Sequence, residues 1–194
     1  MKKLAISTIL MSLLSFSAHA DLIQQPSSST TNAQYGAMTI SQLEQAAKAG
    51  QAPAQFFLGS RYKNGQGVKQ DQKNAFTWFK KAADQGIPSA QLNVGQMYAN
   101  GVGIKQDLSL AKAYLMKAAK QGDNRASYNL AMLEERDKNF AIAYQWYELS
   151  TRDGMLDFRV KDMSEKKIVQ LAANLSSNDI RLARERADQW IQAD

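Results

Sequence analysis

The sequence predicts an all-α protein built from stacked pairs of antiparallel helices. Two long segments match each other in register, AQFFLGSRYKNGQGVKQDQKNAFTWFKKAADQG over 54–86 and AQLNVGQMYANGVGIKQDLSLAKAYLMKAAKQG over 90–122. A glycine that follows a helix-like segment recurs at Gly50, Gly86, Gly122 and Gly154, in steps of 36, 36 and 32 residues. Units of this length cannot bury their apolar faces alone, so neighbouring copies must stack.

The first twenty residues have the pattern of a secretory signal peptide. Two lysines precede an apolar run over 4–16, and the small-x-small sequence Ala-His-Ala over 18–20 is a cleavage site. Because the run is too short to span a bilayer comfortably, we expect cleavage after Ala20 rather than a retained membrane anchor. The sequence therefore predicts an exported protein, in the periplasm or outside the cell, with no integral membrane span after cleavage.

Cleavage would leave little excess charge and no histidine. The full sequence has 24 basic residues, 18 acidic residues, one histidine and no cysteine. The predicted signal peptide contains the histidine and two lysines but no acidic residue, so the remainder carries a net charge of +4. That bias is too small to indicate a nucleic-acid partner. Because catalytic Ser-His or Cys-His sets and zinc sites need His or Cys, we predict no catalytic residue, no metal and no cofactor.

The segment before the repeats divides into a linker and half a repeat. Residues 21–38 are predicted to be a disordered polar linker, because QQPSSSTTNAQYG has almost nothing apolar to bury. From residue 39 onward the apolar spacing is helical. Leu43 lies seven residues before Gly50, as Phe79 does before Gly86. The first helix is therefore predicted to be an N-terminal cap equivalent to half a repeat.

Each full repeat is predicted to contain a helix A and a helix B. The repeats span about 51–86, 87–122 and 123–154 within a domain over 39–154. The A helices are predicted over 53–63, 88–100 and 124–136, and the B helices over 71–85, 107–121 and 138–152. Small residues that let helices approach alternate with large residues that fill the space between them. The predicted repeat core comprises Leu58, Gly59, Tyr62, Trp78, Gly95, Tyr98, Tyr114 and Trp146.

One longer motif occurs twice and indicates a family. It reads Leu/Val-Gly-x-x-Tyr-x-Asn-Gly-x-Gly-Val/Ile-x-Gln-Asp, then Ala-x-x-Trp/Tyr and Lys-Ala-Ala, beginning at Leu58 and at Val94. This pattern resembles the SEL-one-like repeat, a relative of the tetratricopeptide repeat. The resemblance implies a right-handed α-solenoid of about three repeats, with a concave face that binds proteins or peptides. The third copy reads LEERDKNF in place of the glycine loop, so we expect a tight turn there.

The resemblance also implies which residues line the concave groove. The positions that flank Leu58 and Gly59 would face it, and the repeat period extends the set to Phe57, Ser60, Asn93, Gln96, Asn129 and Met132. Amide side chains can donate and accept hydrogen bonds to a peptide backbone. The alternative is that these are ordinary exposed positions. On the groove interpretation, Phe57→Ala would weaken the binding of a partner and leave the stability of the protein nearly unchanged. Replacing Trp78 in the core would instead lower the free energy of unfolding by about 3–5 kcal/mol.

Residues 155–194 are predicted to form C-terminal capping helices. The sequence Ser176-x-x-Asp179 resembles a capping box in acid form. The helix after it would place its apolar residues on one face: Ile180, Ala183, Ala187, Trp190 and Ile191. Arginines 181, 184 and 186 lie on the other faces. Either this is a cap with a solvated charged side, or the arginines form a docking face for an acidic partner.

Two patterns superficially resemble catalytic motifs. Ser60 and Ser164 each begin a Ser-x-x-Lys sequence, the serine–lysine pattern of penicillin-binding enzymes, but no Ser-Asp-Asn or Lys-Thr-Gly motif accompanies either. Glu134 and Glu135 are adjacent, so their side chains must leave a helix in different directions. We predict a solvated turn there rather than a pair of catalytic carboxylates.

Three classes of function follow from these observations. The first is an exported, non-enzymatic protein–protein interaction scaffold that binds an unidentified protein or peptide of the cell envelope through its concave face. The alternative is a periplasmic immunity or inhibitor-type protein that blocks a toxic effector enzyme. The third is a serine hydrolase acting on a β-lactam or on the cell wall, for which Ser60 or Ser164 would be the nucleophile.

Overall fold

The computed structural model describes residues 28–152 and 157–192, and within these ranges it contains ten α-helices and no strand. The helices are α1 Ser28–Ala37, α2 Ile40–Lys48, α3 Ala52–Asn64, α4 Gln72–Asp84, α5 Pro88–Asn100, α6 Leu108–Ala119, α7 Asn124–Arg136, α8 Phe140–Ser150, α9 Phe158–Ala172 and α10 Ser177–Gln192. The predicted all-α class is thereby confirmed. The predicted signal peptide, the first part of the predicted linker and Gly154 lie outside the described residues.

The chain divides into two units, of which the first extends to Ala37 and the second begins at Met38. In the first unit, α1 is helical over ten residues that we expected to be part of a disordered linker. The expectation was based on the scarcity of apolar side chains, which measures what a segment can bury. It does not prevent backbone hydrogen bonds within a single helix, which is why composition missed this element.

The second unit is a solenoid of antiparallel helix pairs. Helices α3 and α4, α5 and α6, and α7 and α8 form the three pairs, and each pair packs on the helix that precedes it. The small residues of the A helices allow the close approach: a Cβ added to Gly59 would lie 2.9 Å from the ring of Phe79, and one added to Gly95 would lie 2.7 Å from Leu115 Cγ. Both contacts join helix A to helix B of the same repeat, and the half-buried Tyr98 packs against both of the buried apolar clusters of this unit.

The loop motif of the first two repeats is explained by hydrogen bonds that end one helix and begin the next. Gly65 adopts a left-handed conformation with φ of +68° and ends α3. The Gln70 side chain donates to the carbonyl oxygen of Lys63 at 2.8 Å. The Asp71 carboxylate then accepts from the first backbone N–H groups of α4. The second repeat uses the equivalent residues Gly101, Gln106 and Asp107.

The third repeat replaces this loop with a tight turn, as its sequence predicts. Helix α7 ends at Arg136, α8 begins at Phe140, and Lys138 lies between them with φ of +62°. The backbone N–H of Asn139 donates to the carbonyl oxygen of Glu134 at 2.9 Å and closes the turn. The backbone of Lys138 is therefore in the left-handed region, a conformation that costs free energy for any residue with a Cβ.

Buried glutamines join consecutive repeats. Gln55 on α3 donates to the carbonyl oxygen of Ala47 at the end of α2, at 3.1 Å. Gln91 on α5 makes the equivalent bond to Ala83, at 3.2 Å. Each of these carbonyl oxygens also accepts from the backbone N–H of the glycine three residues later, so the glutamine adds a second hydrogen bond at the helix end. The first and second repeats thus attach to the preceding helix through the same glutamine position.

The C-terminal helices cover the last repeat from two sides. Helix α9 packs on α7 and α8, and α10 packs on α8. Ser164 on α9 is fully buried, and its hydroxyl lies 2.6 Å from that of Ser150. On the other side, Ala183 and Ala187 of α10 are fully buried, and the ring of Trp190 lies edge-on to Trp146 at 5.0 Å between centroids.

Two of the three arginines of α10 are held by carboxylates. Arg184 pairs with Glu148 of α8 at 3.1 Å, and Arg181 pairs with Glu185 of its own helix. Ser176 accepts from the backbone N–H of Asp179, which is the predicted helix start. These pairs favour the capping interpretation over a basic docking face.

Three of the eight predicted core residues are only half-buried, and Trp78 is the one that does not pack against the buried clusters. Trp78 is only half-buried, with the ammonium group of Lys81 4.3 Å from its ring centroid. Its neighbour Phe79 is the fully buried aromatic residue of α4. Leu58, Gly59, Gly95, Tyr114 and Trp146 are buried as predicted, whereas Tyr62 and Tyr98 are half-buried. The ring of Trp146 is covered by that of Trp190 on α10, whereas Trp78 belongs to neither buried apolar cluster.

Candidate partner-binding site

The six predicted groove residues all lie on helices α3, α5 and α7. Helices α5 and α7 contact each other directly, and α7 contacts α9 in the same way. We call the surface that carries these six residues and extends to α9 the A-helix face. It is formed by side chains from positions that recur once per repeat.

The central part of the A-helix face is a row of amide side chains. Asn93, Gln96 and Asn129 are all half-buried. Gln96 Nε2 lies 3.4 Å from Asn129 Oδ1, so an amide on α5 reaches one on α7. Asn93 and Asn129 each donate to the carbonyl oxygen four residues earlier in their own helix, at 2.7 and 2.6 Å. The structure therefore brings these three predicted residues together and orients them by hydrogen bonds.

Lys63 belongs to this row, although we did not predict it from the sequence as a groove residue. Its Nζ donates to Asn93 Oδ1 at 2.8 Å, which links α3 to α5. The side chain is half-buried, and burial lowers the pKa of its ammonium group. Lys63 stands one helical turn after Ser60, so the helical spacing of the predicted residues was the signal that could have found it.

Arg125 is a second missed residue, at the start of α7. Its guanidinium binds the fully buried carboxylate of Asp123 through Nε and Nη2, at 2.9 and 2.6 Å. This hydrogen bonding raises the pKa of Arg125 despite its partial burial. The same guanidinium lies 3.4 Å from Ser89 Oγ on α5. Arg125 thus connects two repeats while its charge is already balanced by Asp123.

The far end of the A-helix face is a cleft between α7 and α9. It has a volume of about 350 Å³ and is lined by Met132, Glu135, Arg136 and Lys167. Met132 is 49% exposed, so it offers an apolar surface. Lys167 donates to Glu135 at 2.8 Å. Burial raises the pKa of Glu135, but hydrogen bonds from Lys167 and Tyr147 lower it further, so the pKa lies below its usual value.

Phe57 and Ser60 form the other end of the face. Both are half-buried, and the ring of Phe57 meets that of Phe56 edge-on at 5.6 Å between centroids. Phe56 in turn lies 5.7 Å from Phe79 of the core. Phe57 is therefore supported by the core without belonging to it.

Neither Ser-x-x-Lys sequence forms a catalytic pair. Lys63 donates to Asn93, and within the described ranges no hydrogen bond joins it to Ser60. Ser164 is buried and bonded to Ser150 and to a backbone carbonyl, whereas Lys167 pairs with a glutamate. A nucleophile needs its base within hydrogen-bonding distance.

The adjacent glutamates are not a solvated turn, contrary to our expectation. Glu134 is 9% exposed and accepts from Lys112 at 2.8 Å, whereas Glu135 accepts from Tyr147 at 2.7 Å. They do point in different directions, as their adjacency predicts. Glu134 is bound toward α6, and Glu135 is bound toward α8 and α9, which the local sequence does not reveal.

Two further properties hold for the part of the chain that the structure describes. It contains no group of three or more His, Cys, Asp or Glu side chains placed to hold a metal ion. None of its helices combines the length and the hydropathy that a membrane span requires.

Comparison with known proteins identifies the repeats. The Sel1 repeat model matches residues 52–87, 88–123 and 124–155. A Sel1 repeat protein from Oxalobacter formigenes has a similar structure, with 33% identity, a TM-score of 0.54, and coverage of 66% of this chain and 97% of that one. A search among curated proteins found no significant match.

Two other solved structures are more distant. The protective antigen c5321 of uropathogenic Escherichia coli, which displays an SLR fold, has 21% identity and a TM-score of 0.57. The match spans 79% of this chain and 40% of that one. Because the identity is only 21%, the similarity concerns the fold alone. The immunity protein Pa5087 from Pseudomonas aeruginosa has 18% identity over 75% of this chain and 83% of its own, and its TM-score of 0.33 is too low to indicate a common fold. With three matched repeats over more than half its length, this chain belongs to the Sel1 repeat family.

Proposed function

We propose that this protein is an exported, non-enzymatic scaffold that binds a protein or peptide partner of the cell envelope through the A-helix face. The observation that carries the proposal is the row of half-buried amides formed by Asn93, Gln96 and Asn129. Each asparagine commits one N–H to its own helix, and an amide has two donors and two lone pairs. The row therefore keeps hydrogen-bonding capacity for a peptide backbone.

The wider context agrees with this proposal. Sel1 repeat proteins are generally protein-interaction scaffolds and typically non-enzymatic. A solenoid supports such a role because stacked repeats form an extended surface on rigid helices. Export is supported by the signal-peptide pattern of residues 1–20, which predicts a purified protein that begins at Asp21. N-terminal sequencing of the protein from a periplasmic fraction tests that part directly.

Binding is tested by capturing partners from a crosslinked envelope extract with the tagged protein, expressed from its full-length sequence. The test variant is Asn93→Ala with Asn129→Ala. The matched control is Thr77→Ala with Ser109→Ala, two exposed positions on α4 and α6. We expect a partner that the wild type and the control retain and the test variant loses.

Other outcomes contradict the proposal in distinct ways. A partner that the test variant retains would place the binding surface elsewhere. A partner that is a secreted enzyme inhibited stoichiometrically would replace the scaffold with an inhibitor. A circular-dichroism melt of each variant excludes unfolding as the reason for a lost partner.

A further inference from the structure

We propose that the A-helix face selects an acidic, extended segment of its partner, with one carboxylate bound at Lys63 and an apolar side chain in the cleft at Met132. The inference rests on the proposed function, since it assigns the partner's chemistry at the same surface. It depends on how the charges of this face are already paired.

Lys63 is a half-buried cation that holds only a neutral partner. Its Nζ lies 2.8 Å from Asn93 Oδ1, and no carboxylate among the described residues lies within ion-pair distance of it. An amide oxygen balances less of the charge than a carboxylate does, and burial has removed part of the water that would otherwise do so. The same burial lowers the pKa of this ammonium group. A bound carboxylate would supply the missing counter-charge.

Two other cations of the face already have close acidic partners. Arg125 is bound to Asp123 at 2.6 Å, and Lys167 is bound to Glu135 at 2.8 Å. An incoming carboxylate would have to compete with these intramolecular pairs, whereas at Lys63 it would displace no acid. The same pairs balance Asp123 and Glu135, so neither repels an acidic segment strongly. Lys63 therefore carries a positive charge on this face that no carboxylate balances.

The second contact is apolar. Met132 is half exposed in the cleft, which is also lined by Arg136 and by the ion pair of Lys167 with Glu135. Arg136 is only loosely held, since its nearest carboxylate, that of Asp137, lies 3.9 Å away. The cleft therefore suits an apolar side chain within an acidic segment better than one within a basic segment.

The spacing of the two contacts sets the length of the segment. The Lys63 contact bridges α3 and α5, and the Met132 cleft lies between α7 and α9. Neighbouring helices pack 8–10 Å apart, so the two points are about 20 Å from each other. An extended chain advances about 3.3 Å per residue, so about six residues separate the acidic side chain from the apolar one. The amide row lies between them and would face the backbone.

The test uses a phage-displayed library of random dodecapeptides, selected on the protein expressed from its full-length sequence. We expect an acidic residue at one position and an apolar residue about six positions away. The dissociation constant of the selected peptide should rise about ten- to a hundredfold in Lys63→Gln, because a charge-assisted hydrogen bond is lost. It should also rise with NaCl concentration.

Three further variants accompany Lys63→Gln in the design. Lys63→Gln keeps a donor for Asn93, so we expect a native melting curve. Lys63→Arg keeps the charge and should retain most of the affinity, and Lys73→Gln, at an exposed site on α4, should leave it unchanged. Lys63→Glu should shift the selection from acidic to basic peptides.

The outcomes separate this inference from the function on which it rests. Selected peptides that lack acidic residues, or that bind Lys63→Gln as well as wild type, overturn the inference. If such peptides still fail to bind the variant with Asn93→Ala and Asn129→Ala, the proposed function stands. Binders unaffected by every A-helix face variant, or a library that yields none, would count against both.

Discussion

Replacing Gly103 by alanine tests whether the glycine loops hold consecutive repeats together. Gly103 has φ of +73°, and a Cβ there would lie 2.6 Å from the backbone carbonyl carbon of Gln72, at the start of α4 in the preceding repeat. A backbone atom at the start of a packed helix cannot move aside cheaply. Gly86 is the matched control, because it has φ of +91° and no heavy atom within 4 Å of its added Cβ.

The magnitude follows from two separable costs. A left-handed conformation costs a residue with a Cβ about 1–2 kcal/mol, and both variants incur it. Overpacking costs a further 1–3 kcal/mol or so, and only Gly103→Ala incurs that. We therefore expect losses of about 1–2 kcal/mol for Gly86→Ala and about 2–5 kcal/mol for Gly103→Ala. Gly67→Ala should fall between them, because its Cβ would meet only the side chain of Ile40, at 3.3 Å.

Urea denaturation followed by circular dichroism and by tryptophan fluorescence gives these differences. Two probes are needed because repeat proteins can unfold in parts. Trp78 lies in the first full repeat, whereas Trp146 and Trp190 report on the C-terminal end. Equal losses for Gly103→Ala and Gly86→Ala would refute the reasoning, since the contact with Gln72 would then contribute nothing.

Three further predictions concern single side chains. Phe79→Ala should destabilise the protein by about 3–5 kcal/mol because Phe79 is fully buried, whereas Trp78→Ala should cost about 1 kcal/mol, and equal urea midpoints would contradict this assignment. Lys138→Gly should raise stability by about 0.5–1 kcal/mol in the same measurement, since glycine relieves a φ of +62° at some entropic cost; a loss would show that the Lys138 side chain contributes more than its strain. Glu135 has a lowered pKa in the folded protein, so its stabilising effect is complete above its unfolded pKa of about 4.3 and is lost as the pH falls through the folded value. Melting temperatures from pH 7 to pH 3 should therefore fall more steeply for wild type than for Glu135→Gln, and parallel curves would contradict the pairing with Lys167.

The helices were predictable because their signals are local. The predicted A and B helices agree with the structure to within two residues at every end, as α5 at 88–100 and α4 at 72–84 illustrate. Glycines at helix ends, aspartates at helix starts and apolar positions three or four apart all act within one turn of the chain. The helix α1 was missed because its residues carry no such periodic signal.

The candidate site was predictable only in outline. The repeat period placed Asn93, Gln96 and Asn129 on one face, where the structure joins two of them by a hydrogen bond. It did not identify Lys63 or Arg125, because their contacts with Asn93 and Ser89 cross between helices 30 and 36 residues apart. Which long side chain reaches a neighbouring helix depends on packing distance, which one helix's sequence does not contain.

The sequence by itself determined that this protein is a helical solenoid with a repeated, partly polar face, because a repeated pattern of apolar residues has to be buried by stacking. Tertiary structure decided which of the equivalent positions are covered. Trp78 and Trp146 occupy the same register, yet only Trp146 is buried, since α10 packs over it. Tertiary structure also decided which charges are paired: Arg125 and Lys167 meet acidic partners, and Lys63 meets an amide. The physical reason is that burial and ion pairing depend on the distance between elements, whereas helix formation depends on neighbours along the chain.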